Sequence, residues 1–197
     1  MSRAEQKQQT RQRIVEAAER GFRKGGFGGI GVDGLAKEAG VTSGAFYVHF
    51  GSKSEAFREV VAHGMADLKA GVLHFQAEHG RQWWPEFVRF YLGAKRSRDL
   101  SESCSLQSLS PEVARSDESV RVAFESGLRE VAHVMVTGPP SPGAPREIDA
   151  ACAALASLIG AVTLARAVND ANFADLIARS IGQSLVGARW ERAVDNP

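Results

Sequence analysis

The stretch Val32-Asp33-Gly34-Leu35-Ala36-Lys37-Glu38-Ala39-Gly40-Val41-Thr42-Ser43-Gly44-Ala45-Phe46-Tyr47-Val48-His49-Phe50 reads as two short helices joined by a tight turn. Val32, Leu35, Ala36 and Ala39 recur at spacings of three and four, which predicts a helix over 32–39 with one apolar face. Gly40 supplies a residue free to adopt the left-handed conformation that ends a helix. Val41 can plug the angle between the two helices. Thr42 or Ser43 offers a side-chain oxygen to the first free amides of a second helix over 43–48. This is a helix-turn-helix pattern.

Upstream, Ile14, Ala17, Ala18, Gly21 and Phe22 share one face of a helix expected over 10–24, which Gly25-Gly26 stops. The residues before it read as a mobile arm carrying Arg3 and Lys7. Phe27 and Ile30 are expected to fold back onto a small core with Phe22, Leu35, Phe46 and Phe50, giving a three-helix unit over 1–53. Charge is distributed unevenly: residues 1–53 hold nine Lys/Arg against five Asp/Glu, whereas residues 54–197 hold fifteen against eighteen. The basic excess accompanies the helix-turn-helix, as contact with phosphates requires.

Downstream, the periodicity predicts a long fourth helix over 52–78, opened by a Ser52/Glu55 capping box. A fifth over 82–97 is dense in aromatic residues. A short sixth runs through Cys104, Leu106 and Leu109 and stops before Pro111, and a seventh covers 116–136. Residues 137–145 hold four of the seven prolines and read as a surface loop. Helices over 146–169 and 173–193 follow, rich in small residues, Ala188 among them, that let helix axes approach closely. With Leu155, Leu158, Ile159, Val162, Phe173, Ile177, Ile181 and Leu185 beside them, they are expected to supply half of a four-helix bundle between two subunits. No strand-period segment occurs. The expectation is an all-α chain of about nine helices, with domains over 1–53 and 54–197.

Composition excludes several classes. The 44% hydrophobic content supports a packed core. Cys104 and Cys152 stand far apart without a metal-binding spacing, so reduced thiols in a cytoplasmic protein are expected and no metal site is. The polar stretch 1–10 lacks the apolar core of a signal peptide. The apolar run around 150–168 is interrupted by Arg166, and no membrane partner is expected. Neither a phosphate-binding glycine loop after a strand nor a nucleophile elbow is present, and no catalytic residue or cofactor is expected.

Taken together, Ile14-Val15-x-Ala17-Ala18 with Phe22, Gly25-Gly26-Phe27, Val32-x-x-Leu35-Ala36-x-x-Ala39-Gly40-Val41 and Ser43-Gly44-x-Phe46-Tyr47-x-His49-Phe50-x-Ser52-Lys53 resemble the TetR/AcrR family of transcriptional regulators. The resemblance covers about the first quarter of the chain. It implies a homodimer that places the helix around 42–48 in the major groove of a DNA operator. It also implies repression until an unidentified small molecule binds the C-terminal domain. Tyr47, His49 and Lys53 fall where family members commonly touch phosphates. Thr42 and Ser43 lie near base edges, and Gly44 and Ala45 allow close backbone approach. Two positions depart from the family pattern. Gly31 replaces a hydroxyl-bearing cap, and Ser43 stands where many members carry Lys.

Several residues carry two readings. Tyr47 is a phosphate donor or a core aromatic. Trp84, Phe87, Phe90 and Tyr91, with Cys104 and Phe124, are the wall of an effector pocket or ordinary core. Cys104 is a redox sensor at a helix start or a structural thiol, and Cys152 is packing. The pairs Glu59/His63 and Glu130/His133 are an edge of a metal site or solvated side chains. For the whole chain, the alternative to a regulator is a helical ligand-binding protein or enzyme with a vestigial helix-turn-helix.

Overall fold

The computed structural model describes residues 2–187 and 190 of the 197, and among them it contains nine α-helices, two 3-10 turns and no strand. They are α1 (Arg3–Gly29), α2 (Val32–Glu38), α3 (Ser43–His49), α4 (Lys53–His79), α5 (Trp83–Leu92), α6 (Ser105–Val113), α7 (Glu118–Thr137), α8 (Ile148–Ala167) and α9 (Ala171–Val186). The packing divides into two units. The first holds residues 1–65 and 99–126, the second 66–98 and 127–197.

The first unit is larger than the three helices expected to form it. Its core joins Ile14, Phe22, Leu35, Phe46 and Phe50 to Phe57, Val60 and Val61 of α4, Leu109 and Val113 of α6, and Val120 of α7. A boundary at residue 53 would therefore cut through packed side chains. Phe22 meets Phe57 edge-on at 5.1 Å between ring centroids, and Phe46 meets Phe50 at 5.6 Å. Each fully buried Phe contributes roughly 1.5–3 kcal/mol, against about 1 kcal/mol for a helix cap, so the core fixes where α3 sits and its cap only fixes where it starts.

The stretch expected to be a mobile arm is helix. Ser2 and Glu5 form a capping box, the Glu5 amide donating to Ser2 Oγ at 3.2 Å and the Ser2 amide to Glu5 Oε2 at 2.7 Å, so α1 begins at Arg3. At its other end the helix breaks at Gly26, whose φ of 72° favours glycine. Between α2 and α3, Gly40 has φ 66°. The Val41 amide reaches Ala36 O at 2.9 Å and the Gly40 amide Lys37 O at 3.1 Å, the paired bonds of a Schellman end. At the start of α4 the Glu55 amide donates to Ser52 Oγ, but Glu55 reaches back to the Gly51 amide, not to that of Ser52. The α6 helix runs through Pro111, where it was expected to stop, because a proline near the end removes only one backbone donor. Its first turn is held to α1 by Arg23 Nε donating to Ser105 Oγ at 3.1 Å, and Ser105 packs so closely on Gly64 that a Cβ there would collide.

In the second unit α5 ends at Leu92, five residues sooner than expected, because Gly93 turns back on the Arg89 carbonyl, which leaves no space for a Cβ. α5, α8 and α9 pack against one another. The loop after α7 is strapped to α5. Trp83 Nε1 donates to Pro139 O at 3.0 Å, the Trp84 amide to Ser141 Oγ at 3.2 Å, and Trp84 Nε1 to Leu185 O at 3.2 Å. Asp170 caps α9 by accepting from the amides of Asn172 and Phe173, so that helix starts earlier than its apolar pattern indicates. Gly187, with φ 64°, follows its last residue, and the expected extension to residue 193, with Ala188, lies outside the described residues. By length and composition α8 is apolar enough to cross a membrane, although Arg166 interrupts it; 39% of that stretch is buried against its neighbours.

Candidate nucleic-acid interface

The α3 helix is short enough that each of its residues has a settled direction. Phe46 and the following Phe50 point into the core. Tyr47 and Val48 therefore face outward, 54% and 72% exposed, and the reading of Tyr47 as a core aromatic does not hold; it only rests edge-on against Phe46. Thr42 Oγ1 accepts from the Ala45 amide at 3.1 Å and starts the helix. Ser43 Oγ donates to Asp33 Oδ1 at 2.5 Å, tying α3 to α2. Gly44 is exposed and Ala45 half-buried, so the backbone of the first turn is open to approach. Free amides at a helix start favour anions.

The far end of α3 is closed by Arg11. Its Nη1 donates to His49 O at 2.6 Å, its Nη2 pairs with Glu59, and its guanidinium lies 4.1 Å over the Phe50 ring. A cation placed on the last carbonyls satisfies an orphan acceptor and suits the helix dipole. Burial first, then the cations of Lys7 and Arg11, hold the His49 imidazole below the ordinary histidine range. Its Nδ1 is buried without a hydrogen-bond partner among the described residues, a setting that an unprotonated nitrogen tolerates better than an N–H.

Lys53, expected on the phosphate side, points inward. Its Nζ donates to Phe27 O and lies 4.5 Å from the Phe27 ring centroid, and burial lowers its pKa. Lys53 thus pins the turn after Gly26 to the start of α4. Among residues 2–53 the solvent-facing cations are Arg3, Lys7, Arg13, Arg20, Lys24 and Lys37. Asp33 and Val48 belong to the exposed face but were not singled out from sequence. The spacing of Phe46 and Phe50 already implies an outward Val48, whereas the Asp33 contact spans ten residues and has no local signature.

The six residues expected around an effector divide between the units. Trp84, Phe87 and Tyr91 are buried in the second, and Phe90 is half-buried. Their rings fill space against one another, Trp84 on Phe87 at 6.1 Å and Phe87 on Tyr91 at 5.9 Å, with Phe75 beside Phe87 and Phe90. Cys104 and Phe124 belong to the first unit. Cys104 is the buried residue preceding α6, and Phe124 packs against the core that holds Val120.

Of the residues expected between subunits, Leu155, Leu158 and Val162 are instead buried inside the protomer, because they form the face of α8 that packs on α5 and α9. Ile159, Ile177, Ile181 and Leu185 are partly exposed, and Phe173 is 51% exposed. The outer face carries Ala153, Ala156, Gly160 and Leu164 on α8, and Phe173 and Leu176 on α9. Cys152 is exposed on that side and is not packed within the protomer. The acid/histidine pairs do not converge either. Glu59 is taken by Arg11, His63 by Glu19, and Glu130 by Lys69.

Comparison with known proteins bears on this arrangement. Residues 14–60 match the family model described as bacterial regulatory proteins, tetR family. The HTH-type transcriptional regulator TtgR of Pseudomonas putida is 49% identical over 51 residues, which cover 26% of this chain and 24% of TtgR. The uncharacterized HTH-type transcriptional regulator TtgW of the same species is 42% identical over 110 residues, 54% of this chain and 80% of TtgW. A TetR-family transcriptional regulator from Agrobacterium tumefaciens has a similar fold, with TM-score 0.72 at 19% identity, covering 91% of this chain and 99% of that one. The chain thus aligns with about a quarter of TtgR's length and most of TtgW's.

Proposed function

The chain belongs to the TetR family of bacterial regulatory proteins, and from that premise we propose that it is a cytoplasmic, ligand-released repressor that binds a palindromic DNA operator as a homodimer. The observation that carries the proposal is the outward face of α3, with a capped and open first turn and an exposed Tyr47. Tyr47 donates to a phosphate and sets register, while the first turn, Thr42 to Ala45, approaches the bases. His49 contributes to the same face as a neutral group. Lys53 reaches a phosphate only by giving up Phe27, so its main role is to hold the unit together.

The second copy docks on the outer face of α8 and α9, where small residues allow close approach and Leu164, Phe173 and Leu176 supply apolar area. Two α3 helices then lie about 34–36 Å apart, one turn of DNA. A small molecule taken up by the second unit beside α5 shifts the population toward a state with the wrong separation.

Selection from randomised duplex DNA tests the reading. A palindromic motif is expected, bound with affinity that falls steeply with salt, and Tyr47→Ala weakens binding to all sequences alike. Failure to enrich any duplex, under conditions where the protein is folded and dimeric, rules out the DNA-binding reading.

A further inference from the structure

The two hydroxyls at the start of α3 have opposite hydrogen-bonding polarity. Thr42 Oγ1 accepts from the Ala45 amide at 3.1 Å, so its own proton stays available for an acceptor outside the protein. Ser43 is the reverse. Its Oγ lies 2.5 Å from Asp33 Oδ1, within the roughly 2.5–2.7 Å of a hydroxyl donating to a charged oxygen. An ionised carboxylate only accepts, so the Ser43 proton is spent on Asp33 and the oxygen presents lone pairs alone to whatever lies in front of α3.

That restriction selects among the groups DNA offers. Phosphate oxygens are acceptors and cannot pair with such a hydroxyl. In the major groove guanine N7 and O6, adenine N7 and thymine O4 are acceptors too. The donors are adenine N6 and cytosine N4. We propose that Ser43 reads an exocyclic amino group, adenine N6 or cytosine N4, at one position of each half-site, and that Asp33 is the positioning residue that imposes this choice. The inference rests on the reading that α3 enters the major groove, and it gives that reading a direction. Without Asp33 a serine hydroxyl pairs with either kind of base edge and reads little; with it, Ser43 accepts only from the adenine or cytosine of the pair it faces, and so fixes which strand carries that base.

The test is selection from randomised duplex DNA with the full chain, Ser43→Ala and Asp33→Asn, each first shown by thermal melting to be folded. For the wild type, one base pair per half-site is expected to prefer one orientation, with A or C on the strand that Ser43 faces, by roughly two- to tenfold, the value of one modest hydrogen bond. Ser43→Ala loses that preference. Asp33→Asn keeps the shape but can donate to the hydroxyl as well as accept from it, so the same position opens to G and T. The selected base says which amino group is read. In the selected site, replacing that base by its analogue without the exocyclic amino group weakens wild-type binding by about the factor that Ser43→Ala does, and the two losses do not add. A specific wild-type motif whose base preferences are the same in both variants overturns the inference while leaving DNA binding intact. So does a Ser43-dependent position at which removing the exocyclic amino group of its base pair leaves wild-type binding unchanged. If the wild type selects no duplex, the reading beneath the inference falls and takes it along.

Discussion

Arg11 and Phe50 are stacked, the guanidinium carbon 4.1 Å from the ring centroid, while the same side chain holds His49 O at 2.6 Å. One residue of α1 thus closes the last turn of α3. Because its charge is already paired with Glu59, Arg11 is a clamp and not a phosphate contact. Arg11→Met is expected to cost about 1–2 kcal/mol in urea denaturation, the worth of a partly exposed cation–π pair plus a charged hydrogen bond. Operator affinity should fall with it, yet the dependence of log affinity on log salt should keep its slope. A slope shallower by about 0.9 would mean that Arg11 leaves the clamp to neutralise a phosphate.

His49 makes the stability of the free protein pH-dependent. Its pKa in the fold lies below the ordinary 6.5, so between those two values the unfolded chain binds more protons than the folded one. The contribution of neutral His49 is complete above about pH 6.5, declines as pH drops through that window, and levels off once the folded imidazole is protonated as well. Urea midpoints for the wild type and His49→Gln, measured across this range, should diverge in slope there and run parallel above it.

Asp117 acts in the same sense at lower pH. Ser54 Oγ donates to its Oδ2 at 2.5 Å, and Ser119 Oγ at 2.7 Å and the Val120 amide at 3.1 Å donate to its Oδ1, which caps the start of α7. These bonds, Ser54's first, hold the carboxyl at about 2, below its ordinary 3.8. Its stabilisation is therefore complete above about pH 3.8 and is lost as pH falls toward 2. In an NMR titration Ser54→Ala should move the carboxyl upward, and Asp117→Asn should remove this part of the acid transition.

Gly160 sits on α8 with nothing among the described residues within 4 Å of the place a Cβ would occupy. Gly160→Ala should then stabilise the protomer by about 1 kcal/mol through helix propensity. Gly160→Leu should fold equally well but dissociate the proposed dimer in light scattering, since a large side chain would hold two helices apart. Unchanged dimerisation of that variant would place the interface elsewhere.

Local periodicity carried the helix-turn-helix, because Leu35, Phe46 and Phe50 bury at short spacings and Gly40 takes the backbone conformation its position demands. The proline-rich loop was legible for the same reason, its residue types ending helices locally. Contacts across long separations were not. Arg11 meets Glu59 forty-eight residues on, and Arg23 meets Ser105 eighty-two on, so nothing near either residue announced that α6 would join the first unit. Lys53 matched a family position, but its burial depends on where Phe27 lies. On α8 the apolar residues fit both an internal and an external face; packing on α5 and α9 decided for Leu155, Leu158 and Val162. The Ser2/Glu5 box was readable in the chain and was outweighed by the polarity around it.

The straps that hold Pro139 and Leu185 to Trp83 and Trp84 have an optical corollary. These two indoles and Trp190 are all the tryptophans of the chain, and all three lie in the second unit, while the first contains Tyr47 as its single tyrosine. Indole emission therefore comes from one unit alone. Its colour and quenching then report on the proposed uptake of a small molecule by that unit, whether or not DNA is present. Tyr47, on the exposed face of α3, gives the other unit a phenol signal of its own.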